Sequence, residues 1–132
     1  MNNIDLNIDL RNIKDECIKL PSEFFTVMES QRKAKREVAK CKDLLNLVLA
    51  ESSLRVREAL KEMKTTESII SATVETQKEV QNARKELRNA EEDLKKCDVL
   101  VECMIVKREE LSNLVKLVNN DSYISTVTMG NK

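Results

Sequence analysis

The sequence predicts an all-α fold: an elongated antiparallel helical hairpin with a short N-terminal helix and a short elbow helix, oligomerising through coiled-coil-like seams. One Gly, one Pro and 2% aromatic residues leave few turn formers, whereas 41% hydrophobic and 35% charged residues suit helices with one buried face. Apolar residues also recur at alternating spacings of three and four from Val80 to Val118. Such a repeat is typical of a helix that buries one seam. We therefore predict a single helical domain over residues 1–120.

Two helices are predicted in the first half of the chain. Helical spacing of apolar residues predicts a short helix at 9–20, capped by Asp9, and Pro21 should end it because proline disfavours the α conformation in the residue before it. A long basic helix follows at 22–63, with a kink or break left open near Ser52. Its predicted inner face is Val27, Ala34, Val38, Cys41, Leu45, Val48, Ser52, Val56, Ala59 and Met63.

Four leucines lie off this inner face and indicate contact on a second side of the helix, with a neighbouring subunit as the expected cover. They are Leu44, Leu47, Leu49 and Leu54.

An elbow helix at 66–75 is predicted next, with Thr65 as its N-cap and Ile69, Ile70 and Val74 buried. Thr76 and Glu79 have the spacing of a capping box, which predicts the start of a long oligomerisation helix at 77–119. Because only the elbow separates the two long helices, they should fold back antiparallel.

The return helix carries the predicted subunit interface. Ala83 and Ala90 suit close packing against the first long helix, and the apolar face widens towards the C-terminus. Arg108 is the one charged residue at a seam position. There its guanidinium group needs a carboxylate partner, or the aliphatic part of the side chain must extend far enough to bring that group to solvent. Asn119 and Asn120 should end the helix before a flexible tail at 121–132. The predicted oligomerisation residues are Leu94, Val101, Met104, Ile105, Leu111, Leu114, Val115 and Val118.

Several function classes are disfavoured. The chain has no His to serve as a catalytic base and no Gly-rich phosphate loop, so we expect no enzyme and no cofactor. The four cysteines form no CxxC pair, which favours reduced thiols and no metal site. No signal peptide or long uncharged apolar run is seen, so we expect a soluble cytoplasmic protein without a membrane partner.

A basic run is the sharpest functional signal. Residues 31–64 hold ten Lys/Arg against five Asp/Glu, and residues 31–42 alone hold six cations and one acid. With Ala34, Val38 and Cys41 facing inward, these cations should point outward, where they can neutralise phosphates. A solvated helix surface or an acidic protein partner remains open as the alternative. The candidate nucleic-acid-binding residues in the run are Arg32, Lys33, Lys35, Arg36, Lys40 and Lys42.

The order of these segments, with the stretch Val38 to Asp43 and the junction Glu62-Met63-Lys64, resembles the phage recombination mediators of the UvsY type. The resemblance implies helical protomers in a homo-oligomer that forms a closed ring. It also implies that the protein helps a recombinase displace single-strand binding protein from single-stranded DNA, in the host cytoplasm.

By position, Lys40 and Lys42 would match the family's basic pair, and Lys64 its junction lysine. Lys42 stands where the family pattern has arginine, and residues 44–50 continue a helix where relatives carry aromatic and Gly-rich residues. The alternative function is a structural or chaperone-like coiled-coil oligomerisation protein of a phage.

Overall fold

The fold is all-α, as predicted. A computed structural model describes residues 4–130, and side chains over residues 4–120; this part of the chain forms three α-helices and no strand. The helices are α1 (Ile13–Ala59), α2 (Glu67–Thr76) and α3 (Lys78–Gly130).

The predicted break at Pro21 is absent, because α1 runs from Ile13 through Pro21 to Ala59. Asp9 forms a turn before the helix instead of capping it: the Arg11 N–H donates to Asp9 Oδ1 at 3.0 Å. Pro21 is exposed, whereas Glu16 and Glu23 on either side of it both bind Lys107 of α3. Tertiary contacts on both sides therefore hold the helical path that proline disfavours locally.

The helix does not break at Ser52, and α1 ends four residues before the predicted Met63. Ser52 is buried, with 1% of its surface exposed. Its hydroxyl accepts from Arg55 Nη2 at 3.2 Å and donates over 3.5 Å to Glu79 Oε1. A serine in the apolar face is tolerated here because its hydroxyl has partners.

The elbow helix α2 lies within one residue of its predicted bounds, but its cap is Thr66 rather than Thr65. The Ile69 N–H donates to Thr66 Oγ1 at 3.3 Å. The predicted capping box before α3 does not form: the Thr76 hydroxyl donates to the Thr73 carbonyl at 2.6 Å. The carboxylate of Glu79 binds Arg55 instead.

The predicted end of the last helix at Asn119 is wrong, since α3 continues to Gly130. No described residue other than glycine has a positive φ, so neither Asn119 nor Asn120 adopts the left-handed conformation that ends helices. No Pro or Gly lies between Asn120 and Met129 to force an earlier end. Of the predicted tail, residues 131–132 lie outside the described part of the chain.

Tertiary contacts divide the chain into two compact units. Unit 1 comprises Met1–Gln31 and Cys97–Lys132, and unit 2 comprises Arg32–Lys96. In unit 2, Val38 and Cys41 pack with Ala90, whereas Val56 packs with Val80 and with Ile70 and Val74 of α2. Later residues of α1 thus meet earlier residues of α3, which makes the two helices antiparallel there. The prediction of a single domain over residues 1–120 stays a prediction.

In unit 1 the helices are also antiparallel, and a lysine occupies the core. Gln31 Nε2 donates to Asp98 Oδ1 at 2.7 Å, and further along α3 Lys107 reaches back to Glu16. The Lys107 side chain is 2% exposed. Its Nζ lies 2.7 Å from the Asp5 carbonyl oxygen, 3.1 Å from Glu16 Oε2 and 3.7 Å from Glu23 Oε1. A buried ammonium is stable here because three oxygens replace its water.

The prediction that Arg108 lies on the buried seam is therefore wrong by one residue. Arg108 is exposed, and its guanidinium carbon lies 5.4 Å from the centre of the Phe24 ring. After Met104 the next buried residues are Lys107, three positions on, and Leu111, four positions further. The sequence prediction instead takes a step of four residues to Arg108 and then one of three to Leu111.

Candidate nucleic-acid interface

The basic run lies on α1 at one end of unit 2, and its cations face solvent. Arg32, Lys33, Lys35, Arg36, Lys40 and Lys42 are all exposed. The inward positions are as predicted: Val38 and Cys41 are each 8% exposed, and Ala34 is half-buried. Val38 and Cys41 of α1 pack against Ala90 of α3, and this packing directs the cations of the run towards solvent.

Among the described residues, most cations of the basic run take no part in an ion pair. Within the described part of the chain, no ion pair involves Lys33, Lys35, Arg36, Lys40 or Lys42. By contrast, four cations outside the run each bind a carboxylate: Arg55 to Glu79, Arg57 to Glu67, Lys61 to Glu58 and Arg84 to Glu75. Other cations of unit 2, such as Arg88 and Lys95, also lie outside these ion pairs, so the run differs chiefly in its density of six cations and one acid over residues 31–42.

The ion pairs outside the run are bidentate at two places. Arg57 Nη1 and Nη2 donate to the two oxygens of Glu67 at 2.8 and 2.7 Å, and Arg84 Nε donates to Glu75 Oε2 at 2.7 Å. Hydrogen bonds from these guanidinium groups hold the pKa of Glu67 and of Glu75 below their usual values. These arginines are engaged within the fold and are poor candidates for binding phosphate.

Lys64 does not join the basic run. It is exposed in the connection between α1 and α2, whereas the run ends at Lys42. The helical rise from Lys42 to Ala59 alone is about 25 Å. A ligand that binds the run would have to be long to reach Lys64 as well.

One side of unit 2 combines cations from both long helices, and we call it the basic flank: Lys35 and Lys42 of α1 with Arg88 and Lys95 of α3. Leu49 of α1 and Arg84 of α3 line one surface pocket, which shows that they border the same groove. Lys35, Lys42 and Leu49 follow one another at seven-residue steps, which bring residues to nearly the same side of a helix.

The same reasoning applies to α3. Arg88 and Lys95 lie four and eleven residues after Arg84 and share its side of the helix. Both are exposed. Glu91, seven residues after Arg84, is an acidic residue on the same side of α3. Sequence reasoning missed Arg88 and Lys95 because α3 has no excess of cations. Only the pairing of helices shows which of its charges border the groove.

The opposite side of unit 2 carries carboxylates, and we call it the acidic flank: Glu79, Glu86 and Asp93 of α3, spaced by seven, with Glu37 of α1. Arg55 lies on this side because it binds Glu79, and Glu37 precedes Arg55 by eighteen residues, five full turns. Lys33 and Lys40 lie four before and three after Glu37.

The pKa of the Cys41 thiol is affected by burial and by the carboxylates of the acidic flank. Burial raises the pKa of Cys41, and the charges of Glu37 and Glu86 raise it further. Cys41 is buried, as predicted for a reduced core thiol, and all four cysteines are free. Glu86 therefore lies close enough to α1 to act on it.

The predicted oligomerisation residues include buried, half-buried and exposed side chains. Met104 and Leu111 are buried at 0% and 2% exposure within unit 1, so the chain itself covers them and their assignment to a subunit interface is corrected. Leu94 packs against Val38, Cys41 and Ala90 of unit 2. Val118 is 47% exposed. The remaining four, Val101, Ile105, Leu114 and Val115, are half-buried.

Of the off-face leucines on α1, Leu44, Leu47 and Leu54 are exposed at 42%, 55% and 70%. Leu49 is half-buried and packs against the cluster that contains Val56 and Ile70. The chain therefore covers Leu49 and leaves the other three uncovered.

Neither a metal site nor a membrane span is found in the described residues. Over residues 4–120, whose side chains are described, no three His, Cys, Asp or Glu side chains are grouped to hold a metal ion. In the same part of the chain, none of the helices is apolar over the length that crossing a bilayer requires.

The fold thus defines an all-helical protein with a cationic surface on its first long helix. Comparisons with protein-family models, curated proteins and solved structures found no match. The resemblance to UvsY-type mediators accordingly stays a prediction that depends on the short motifs.

Proposed function

We propose that the chain is a non-enzymatic protein that binds the phosphate backbone of single-stranded DNA through the basic run of α1. The observation that carries the proposal is the density of exposed positive charge on α1: residues 31–42 hold six cations and one acid, and Lys33, Lys35, Arg36, Lys40 and Lys42 have no ion-pair partner in the described chain. Unit 2 as a whole holds sixteen Lys/Arg against twelve Asp/Glu.

Binding through such a run should be indifferent to base sequence. Unit 2 contains none of the three aromatic residues of the chain, so base stacking within unit 2 has no aromatic ring to use. Lysine and arginine contacts to phosphate release counterions and make affinity depend strongly on salt. Single strands are proposed in preference to duplex because of the resemblance to UvsY-type mediators.

That resemblance extends the proposal to a biological role. The protein would act as a homo-oligomer in the cytoplasm, helping to load a recombinase onto DNA coated with single-strand binding protein. Repetition of the basic run in each subunit would multiply weak phosphate contacts into stable binding. The exposed Leu44, Leu47 and Leu54 provide apolar surface for contact between subunits.

Fluorescence anisotropy with a labelled oligothymidine tests the DNA-binding step. We expect binding at about 50 mM salt that weakens as salt rises, because each phosphate contact contributes about 0.7 to the logarithmic salt slope for single strands. The quadruple variant Lys33→Ala, Lys35→Ala, Lys40→Ala, Lys42→Ala should bind at least tenfold more weakly, roughly two lost contacts or more.

The matched control is Lys14→Ala with Lys19→Ala, which removes exposed lysines of α1 in unit 1. This variant should bind like the wild-type protein. Absence of an anisotropy change with the wild-type protein would refute the proposal, as would equal binding by the quadruple variant.

The second candidate is a structural coiled-coil protein, favoured by the exposed Leu44, Leu47 and Leu54 on α1. Light scattering coupled to chromatography, with and without single-stranded DNA, separates the candidates. A stable oligomer that binds no DNA, and that Leu47→Glu with Leu54→Glu dissociates, selects the structural function. An oligomer that binds DNA selects the first proposal.

A further inference from the structure

We propose that single-stranded DNA lies along the basic flank of unit 2, in the groove between α1 and α3, and that α3 supplies half of the phosphate contacts through Arg88 and Lys95. This inference rests on the proposed function and specifies its site. It assigns different roles to cations of the basic run that are equally exposed.

The register of the helices places the four cations opposite one another. Cys41 and Ala90 pack in one cluster, so Lys42 and Arg88, one and two residues away, lie at the same level of the pair. The helices are antiparallel, and Lys35 lies seven residues before Lys42 while Lys95 lies seven after Arg88. The two cation pairs therefore border the groove about 10 Å apart along its length.

The α1 border of this groove contains no carboxylate. Between Lys35 and Ser53, the residues on this side at steps of four and three are Ala39, Lys42, Asn46 and Leu49. Glu91 of α3 is half-buried, and Glu75 of α2 is already bound by Arg84. A phosphate in the groove thus meets four exposed cations and one unpaired carboxylate, that of Glu91.

On the acidic flank the same DNA would meet carboxylates. Glu37 lies four residues after Lys33 and three before Lys40 on α1, and Glu86 and Asp93 of α3 lie four residues before and three after Ala90, which packs with Cys41. Repulsion between these carboxylates and phosphate offsets the attraction of Lys33 and Lys40. Exposure alone does not make the two lysines equivalent to Lys35 and Lys42.

Paired substitutions test this asymmetry. The double variants Lys35→Gln/Lys42→Gln and Lys33→Gln/Lys40→Gln both remove two exposed charges from α1 at seven-residue spacing, and so serve as matched controls. We expect the first to bind oligothymidine about tenfold or more weakly, with the salt slope lowered by about 1.4, and the second to change affinity less than about threefold.

The same comparison on α3 tests the second helix. Arg88→Gln/Lys95→Gln should weaken binding about as much as Lys35→Gln/Lys42→Gln, whereas Lys85→Gln/Lys96→Gln, on the outer side of α3, should have little effect. All eight residues are exposed, and circular dichroism should show unchanged helix content in every variant.

The outcomes separate the two proposals. Equal losses in both α1 variants, or no loss on substitution of Arg88 and Lys95, would overturn the groove assignment while DNA binding itself stands. Absence of binding by the wild-type protein would overturn both. Selective losses in the two basic-flank variants support both.

Discussion

Lys107 and Arg108 are neighbouring cations in opposite environments. Lys107 is buried against the Asp5 carbonyl, Glu16 and Glu23, whereas Arg108 is exposed over the Phe24 ring. Sequence periodicity places a cation at this point of the seam but does not decide which one, because both are consistent with an alternation of three and four. Lys107 is the buried cation because oxygen atoms of two chain segments, the segment before α1 and α1 itself, surround its ammonium group. That arrangement depends on the tertiary structure.

Removal of Lys107 should strongly destabilise unit 1. In Lys107→Ala, Glu16 and Glu23 lose their shared cation, and the Asp5 carbonyl loses its donor. We expect the free energy of unfolding to fall by about 3 kcal/mol, as for a buried ion pair that loses one partner. Urea denaturation followed by circular dichroism measures the change.

Arg108→Ala is the matched control one residue away. It should lower the free energy of unfolding by only about 0.5–1 kcal/mol, because an exposed cation–π contact is weak. Equal losses in the two variants would contradict the assignment of Lys107 to the core.

At the scale of the element, α1 shows how packing overrides a local signal. Pro21 predicts two helices, and the structure has one, because Glu16 before the proline and Glu23 after it bind the same lysine. By contrast, α2 lies within one residue of its predicted bounds, with Ile70 and Val74 buried as predicted, although Ile69, also predicted to be buried, is 48% exposed. Local prediction succeeds where no strong tertiary contact opposes it.

Replacement of Pro21 should stabilise α1. Proline in a helix interior lacks an N–H and crowds the preceding turn, at a cost of about 3 kcal/mol. Because Pro21 is exposed, Pro21→Ala removes this cost without opening a cavity, and we expect the free energy of unfolding to rise by about 1–3 kcal/mol.

The neighbouring exposed substitution Ser22→Ala is the control for Pro21→Ala. It should change the free energy of unfolding by no more than about 0.5 kcal/mol. Thermal and urea unfolding measure both variants. An unchanged or lower stability of Pro21→Ala would show that proline imposes no strain on α1.

At the scale of the whole molecule, ion pairs link stability to pH. The pKa values of Glu67 and Glu75 are lowered in the folded state, mainly by hydrogen bonds from Arg57 and Arg84. A lowered folded-state pKa contributes stability above the unfolded value, and this contribution disappears as pH falls through the folded value. Acidification should therefore destabilise the protein in the range below about pH 4.5.

The variant Arg57→Gln with Arg84→Gln should lose this part of the pH dependence. Its free energy of unfolding should lie below that of the wild-type protein at neutral pH, and the difference should shrink on acidification below about pH 4.5. The control Lys85→Gln/Arg88→Gln removes the same charge from residues outside any bidentate pair. A constant difference across the pH range would contradict the linkage.

The sequence by itself determined the helical class, the approximate extent of α2 and the inner faces of the long helices around Val38, Cys41, Ala83 and Ala90. These follow from periodicity and composition, which act locally along the chain. It also indicated the basic run, because charge can be counted without coordinates.

Only the tertiary structure decided that Pro21 lies inside a helix, that Lys107 and not Arg108 is buried, and that Met104 and Leu111 are covered by the chain itself. It also brought Arg88 and Lys95 beside Lys35 and Lys42. The physical reason is common to all four: burial and charge surroundings depend on which residues of distant segments meet, and that register is set by packing between helices.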